Sequence, residues 1–186
     1  MSSPNLTDEQ ISQMLKDPEQ RRAAFSTVIH KYQEQLYWQI RKLVIDHEDT
    51  SDVLQNTLLK AWQALDSFRA DSKLSTWLYT IAHNEAITFL TKKQQELDMT
   101  IDDPEGYAMD CVEADKYFDG DEAQQLLLQA IATLPAKQRE VFNYRYYDEL
   151  PYEEISLITG TSVGALKASY HFAVEKISDF LRKKEI

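Results

Sequence analysis

An all-α fold, made of two small helical domains joined by an acidic flexible linker, is the architecture this sequence predicts. Three observations carry that expectation. Apolar residues recur every three or four positions in separate stretches, the spacing that lays a stripe along one face of a helix, and no strand-period alternation competes with it. Glycine and proline are scarce, 4 and 5 among 186 residues, which leans a globular chain toward helix. Charge is uneven as well: residues 1–95 hold 11 basic and 12 acidic side chains, residues 96–123 hold 1 and 11, and residues 124–186 hold 8 and 8. Nearly all of the net charge of -11 therefore sits in one stretch between two nearly neutral units.

The elements follow in order. Thr7 and Gln10 form a capping-box pattern for a short helix reaching Leu15 or Lys16, and Asp17-Pro18 breaks the chain after it. From Phe25 the apolar positions Val28, Ile29, Tyr32, Leu36, Ile40, Leu43 and Val44 predict a helix of about five turns. Val53, Leu54, Leu58, Ala61, Trp62 and Leu65 predict a second stripe. A third, from Leu74 through Trp77, Leu78, Ile81, Ala82, Phe89 and Leu90, follows the polar break FRADSK and is expected to end near Lys93.

QQELDMTIDDPEGYAMDCVEADKYFDGDE, with Pro104, Gly106 and Gly120 and no sustained apolar period, reads as a linker. Its acidity fits a solvated, self-repelling spacer or a mimic of nucleic acid, and the residues leave both readings open. Beyond it, Leu126, Leu127, Ala130, Ile131 and Leu134 make an amphipathic helix stopped by Pro135, and Val141, Phe142 and Tyr144 lie on the next, which runs to about Tyr147. Pro151 suits a first helical turn, Ile155 and Ile158 face inward, Gly160 supplies a turn, and Ser162 can cap a last helix carrying Val163, Leu166, Tyr170, Ala173, Ile177 and Phe180. The expected organisation is a 1–20 N-terminal extension, a 21–95 helical domain, a 96–122 acidic linker and a 123–186 domain.

Composition also excludes. A lone Cys111 rules out an internal disulfide framework and any cysteine-paired zinc site, and it points to a reducing compartment, with the cytoplasm as default. Uncharged stretches such as residues 86–91 are too short to cross a bilayer, and MSSPNLTDEQ has neither a basic n-region nor an apolar core, so neither membrane insertion nor secretion is expected. The four histidines His30, His47, His83 and His171 lack metal-ligand spacing, and no Gly-rich phosphate loop precedes a helix. The carboxylates Asp102, Asp103 and Glu105 fall in the linker instead of on rigid elements. No catalytic site, metal or cofactor is expected.

Two helices joined at Gly160 make a helix-turn-helix, in which the second helix enters the major groove and the first crosses the backbone. Small residues Gly164, Ala165 and Ala168 allow close approach, and Lys167, Ser169, His171 and Phe172 lie away from the apolar stripe, as phosphate and base contacts must. Only one of these is reliably cationic, so binding by this half alone would release few counterions and be weak in salt.

These residues resemble a family, the extracytoplasmic-function sigma factors of the sigma-seventy class, over about residues 21–95 and 123–184. DHEDTSDVLQNTLLKAWQALDSFRADSKLSTWLYTIAHNEAITFLTKK is similar to the sigma-two domain, and LPAKQREVFNYRYYDELPYEEISLITGTSVGALKASYHFAVEKI to the sigma-four domain. The resemblance implies a non-enzymatic initiation factor that binds core RNA polymerase, opens the downstream promoter element through its first domain and reads the duplex upstream element through its second. It also implies an anti-sigma protein as a partner that holds the two domains together at rest. The linker would thread toward the polymerase active site and RNA exit path.

Carried over by position, Asp52, Val53, Gln55 and Asn56 match the D-x-x-Q-E segment that packs on the polymerase clamp, with Asn56 replacing the usual glutamate. Phe68 through Ser75 matches the loop that accepts a flipped base of the single-stranded downstream element. The resemblance makes Phe68, Arg69, Ser72 and Lys73 the pocket and strand contacts, with Trp77 packing beneath. An aromatic wall with polar partners recovers the cost of unstacking only for the right base. Thr80, His83 and Asn84 continue that face, His83 standing where arginine is common and Lys92 and Lys93 partly compensating. On the last helix Ser162, Ala165, Lys167, Ala168, Ser169, His171 and Phe172 match the upstream reader, but Ser169 and Phe172 replace arginines and shift contacts toward apolar groups such as the thymine methyl. The competing readings are an enzyme and a stand-alone helix-turn-helix transcriptional regulator, which predicts a palindromic site and leaves the first domain without a role.

Overall fold

The computed structural model describes residues 6–68, 73–97 and 122–184. The sequence-predicted contacts Arg69 and Ser72, residues 98–121 of the acidic stretch and Cys111 lie outside them. Among the described residues there are eight α-helices and no strand. They are α1 (Asp8–Lys16), α2 (Arg21–Val44), α3 (His47–Gln63), α4 (Leu74–Leu97), α5 (Glu122–Ala132), α6 (Ala136–Tyr146), α7 (Tyr152–Thr159) and α8 (Val163–Lys184), with a 3₁₀ turn at Leu65–Ser67.

Local chemistry sets most boundaries. At α1 the Thr7 hydroxyl accepts from the Gln10 N–H while the Gln10 side-chain oxygen accepts from the Thr7 N–H at 2.9 Å, a reciprocal capping box. α2 ends where Ile45 turns to φ 71 and returns its N–H to the Arg41 carbonyl. Asp46 then caps α3, and Glu48 and Asp49 put negative charge on the first turn, where the helix dipole favours it. Pro135 and Pro151 precede α6 and α7, and Gly160, at φ 67, closes α7 in the left-handed conformation that only glycine adopts freely.

The first half closes around Val28, Leu36, Ile40, Val53, Leu74, Leu78 and Ala82. Residues 8–16, expected as an extension, join that core through Ile11 and Leu15, and Asp8 fastens α1 to α2 by accepting from Lys31 at 2.7 Å and the Tyr32 hydroxyl at 2.6 Å. α4 runs one turn past the expected end at Lys93. The second half has two clusters, one of Ile131, Leu134, Phe142, Ala173 and Ile177, the other of Val141, Tyr144, Ile155, Ile158 and Leu166.

The halves pack on each other, α4 against α7 and α2 against α6. The joint is mostly polar. Gln39 donates to the Tyr144 hydroxyl at 2.6 Å, Lys42 pairs with Asp148 at 2.6 Å, and the Asn143 amide donates to the Lys42 carbonyl at 2.9 Å. Among the described residues no helix is long and apolar enough to cross a membrane, and no group of three or more His, Cys, Asp or Glu could hold a metal ion.

Candidate nucleic-acid interface

Three surfaces carry the residues singled out in the sequence. The first is α3. Asp52, Gln55 and Asn56 are exposed on one face, while Val53 is buried in the core. Leu59, one further turn along that face, is 59% exposed. Sequence reasoning missed it; Leu58 packs on the core, and Leu59 falls on the face of Asp52, Gln55 and Asn56, three or four residues apart, where an apolar side chain has no core to enter.

The second surface is α4 with the segment before it. Phe68 is 6% exposed and lies against Trp77, ring centroids 4.9 Å apart. Lys73, Thr76, Thr80 and His83 fall three or four residues apart and so share one side of α4. Lys73 is exposed, Thr80 donates to the Thr76 carbonyl at 2.8 Å, and Asn84 is exposed at the margin. His83, expected on an open surface, is instead buried against Glu140 of α6, its Nδ1 meeting a Glu140 carboxylate oxygen. Glu154 of α7 accepts from the Thr76 hydroxyl at 2.8 Å and lies 3.6 Å from the Lys73 amine. Of the predicted single-strand contacts, His83 is therefore covered by the second half, whereas Lys73 and Asn84 stay open to solvent.

At the centre of this contact Tyr144 is buried, and burial pushes its phenol well above its ordinary pKa. The hydroxyl therefore stays protonated at neutral pH. Arg139 of α6 donates to the Leu43 and Leu134 carbonyls, both at 3.3 Å, and burial lowers its pKa to about 10.

The third surface is α8. The Ser162 hydroxyl oxygen accepts from the Ala165 N–H at 3.4 Å, and Gly164 has open space around it. Ala165, Lys167, Ala168, His171 and Phe172 are exposed and Ser169 is half-buried, whereas Leu166, Ala173 and Ile177 turn inward. Lys167 sits over the Tyr152 ring at 5.7 Å, and His171 lies 3.4 Å from Glu175. Phe172 is 52% exposed, a large apolar surface on the open side of the helix. Unlike His83 on α4, these residues meet solvent.

Known proteins share this arrangement. Residues 28–96 match the family described as Sigma-70 region 2, and residues 124–177 match Sigma-70, region 4. The chain is 30% identical over 192 residues to the ECF RNA polymerase sigma-E factor of Escherichia coli strain K12, covering 95% of each chain. It is 31% identical over 186 residues to the RNA polymerase sigma-H factor of Pseudomonas aeruginosa, covering 95% of this chain and 96% of the relative. Among solved structures it resembles the sigma factor RpoE in complex with the anti-sigma factor NepR from Bartonella quintana. That match has a TM-score of 0.67 and 25% identity over 85% of this chain and 96% of that one. CnrH, solved in complex with the cytosolic domain of CnrY, matches in fold with a TM-score of 0.67 at 21% identity, covering 95% of this chain and 97% of that one. With both sigma regions in order, and relatives at this identity along nearly its whole length, the chain belongs to the extracytoplasmic-function group of the sigma-70 family.

Proposed function

We propose that this chain binds core RNA polymerase, directs it to specific promoters and assists their opening, transferring specificity without performing chemistry. The observation that carries the reading is the pairing of both sigma regions, in order, with relatives named as sigma factors that match 95% of the chain. In this reading residues 21–95 dock on polymerase and handle the downstream element, and residues 123–186 read the upstream duplex. The exposed α3 face of Asp52, Gln55 and Asn56 is the polymerase contact, with Leu59 as an apolar neighbour. Lys73, Thr80, His83 and Asn84 meet the separated strand together with Arg69 and Ser72, and Phe68 supports that pocket from the core side. Ser162, Ala165, Lys167, Ala168, Ser169, His171 and Phe172 meet the duplex.

Because Glu140 of α6 covers His83 and Glu154 of α7 engages Thr76, the halves must part before that part of α4 meets DNA. A mostly polar joint suits a reversible contact. An anti-sigma protein that grips both halves would hold them closed; the matched RpoE is solved in complex with an anti-sigma factor, and CnrH with the cytosolic domain of CnrY. The work of the chain lies in the cytoplasm, with polymerase.

The test is run-off transcription with purified bacterial core polymerase and genomic promoter fragments, using the wild type and the double variant Asp52→Ala with Gln55→Ala. Both side chains are exposed, so the variant should fold as the wild type does. A promoter-specific transcript that requires the protein and falls in the variant supports the reading. Failure to bind core polymerase, with duplex DNA still bound by the chain alone, replaces it with a stand-alone regulator.

A further inference from the structure

Where the halves meet, α2, α5 and α6 enclose a cavity of about 460 Å³. Leu127, Leu128 and Ile131 form one wall and Trp38, itself 50% exposed, forms the rim opposite. The charges around it run against the rest of the molecule. In a chain with 31 acidic and 20 basic residues, the described lining contains the three cations Arg41, Lys42 and Arg139 and no carboxylate.

Lys42 is held by Asp148 at 2.6 Å. Arg139 is in a different position. Its two Nη groups reach only main-chain carbonyls, at 3.3 Å each, and its Nε is buried with no hydrogen-bond partner among the described residues. Burial lowers its pKa only to about 10, so the guanidinium is charged at neutral pH. A half-buried charge with a buried Nε, answered only by neutral carbonyls, carries a desolvation cost that an anion set beside it offsets.

We propose that the cavity is a binding site for a small amphipathic anion, an aliphatic body with a single carboxylate head directed to Arg139. The volume lies in the range of small-molecule sites, roughly 300 to 1,000 Å³, which are mostly apolar with a few placed polar groups. A bare inorganic anion would leave the leucine wall wet, and a neutral lipid would leave Arg139 uncompensated. Both halves supply the walls, so the ligand binds only their packed arrangement and opposes their parting by mass action. The site is independent of the polymerase reading, and its test needs no transcription.

The experiment is isothermal titration calorimetry on the full chain with sodium decanoate, and with decyltrimethylammonium as a probe of the same tail and opposite head. Decanoate is expected to bind saturably, one per chain, and the cationic probe to bind at least about tenfold more weakly, as like charge predicts. Trp38→Asp puts a carboxylate on an exposed rim where it cannot disturb the core, and Arg139→Met removes the head-group partner. Each should weaken decanoate about tenfold or more. Equal binding of the two probes, absence of saturation, or wild-type affinity in Trp38→Asp overturns the proposal. So does decanoate binding that appears only once residues 98–121 are exchanged for a Gly-Ser run, since the chain's own acidic segment would then be the occupant.

Discussion

Gln39 and Tyr144 lie 105 residues apart in the chain and meet at 2.6 Å, the Gln39 amide donating to the phenol oxygen at the centre of the contact between halves. Both side chains are buried, and the phenol is surrounded by Val141, Ile155 and Leu166. A hydrogen bond in such surroundings is worth about 1 kcal/mol net, and leaving one partner unsatisfied costs more. The bond therefore makes a specific latch at the edge of the apolar cluster on which Tyr79 of the first half also packs.

A double-mutant cycle of Gln39→Ala and Tyr144→Phe should reveal this. The expected coupling is about 1 kcal/mol, read from urea unfolding midpoints. Simple additivity would mean that the two halves do not meet in solution as they do here.

Gly160 links the two helices of the DNA-reading motif at φ 67, and a Cβ built there meets nothing within 4 Å. Gly160→Ala therefore costs backbone strain alone, about 1 to 2 kcal/mol. Denaturant unfolding measures the loss, and the shape of α8 itself should be unchanged by circular dichroism.

Phe68 and Phe172 make opposite cases. Phe68 is 6% exposed against Trp77, so Phe68→Ala should cost about 3 to 5 kcal/mol. Phe172 is 52% exposed, so Phe172→Ala should stay within about 0.5 kcal/mol of the wild type while weakening upstream duplex binding by the polymerase complex. Melting curves and DNA-binding anisotropy separate the two.

Alkaline pH should loosen the joint. Burial raises the phenol pKa of Tyr144, Tyr79 and Tyr147, so the folded state holds those protons more tightly than the unfolded chain does. That stability is fully present below about pH 10 and is lost as pH rises beyond it. Arg139, lowered to about 10, has the opposite sign above that pH, one guanidinium against three phenols. The urea midpoint is expected to fall between about pH 9 and 11, and to fall less steeply in Tyr144→Phe.

Much of this was legible in the chain. The stripes of α2 and α3, the Thr7 capping box, the prolines before α6 and α7 and the turn at Gly160 are all local signals, and local signals determine helices. The joint between halves was not legible, because Gln39, Thr76, His83, Glu140 and Glu154 are polar and their partners lie far off in sequence. Periodicity registers apolar burial alone. A trace was present at Gln39, which falls on the stripe of Leu36, Ile40 and Leu43, a polar residue on a face that must be buried. His83 read as an open strand contact for the same reason: nothing near it in sequence shows that Glu140 covers it.

The polar character of the joint also bears on how the protein is made. Chains emerge from the ribosome N-terminus first, and α1 to α4, which share one core, are complete outside it before the whole of the second half has emerged. In that interval the face awaiting the second half offers water Gln39, Lys42, Thr76 and His83 beside the aromatic Trp38 and Tyr79. The polar groups among them keep part of that face hydrated until the second half docks.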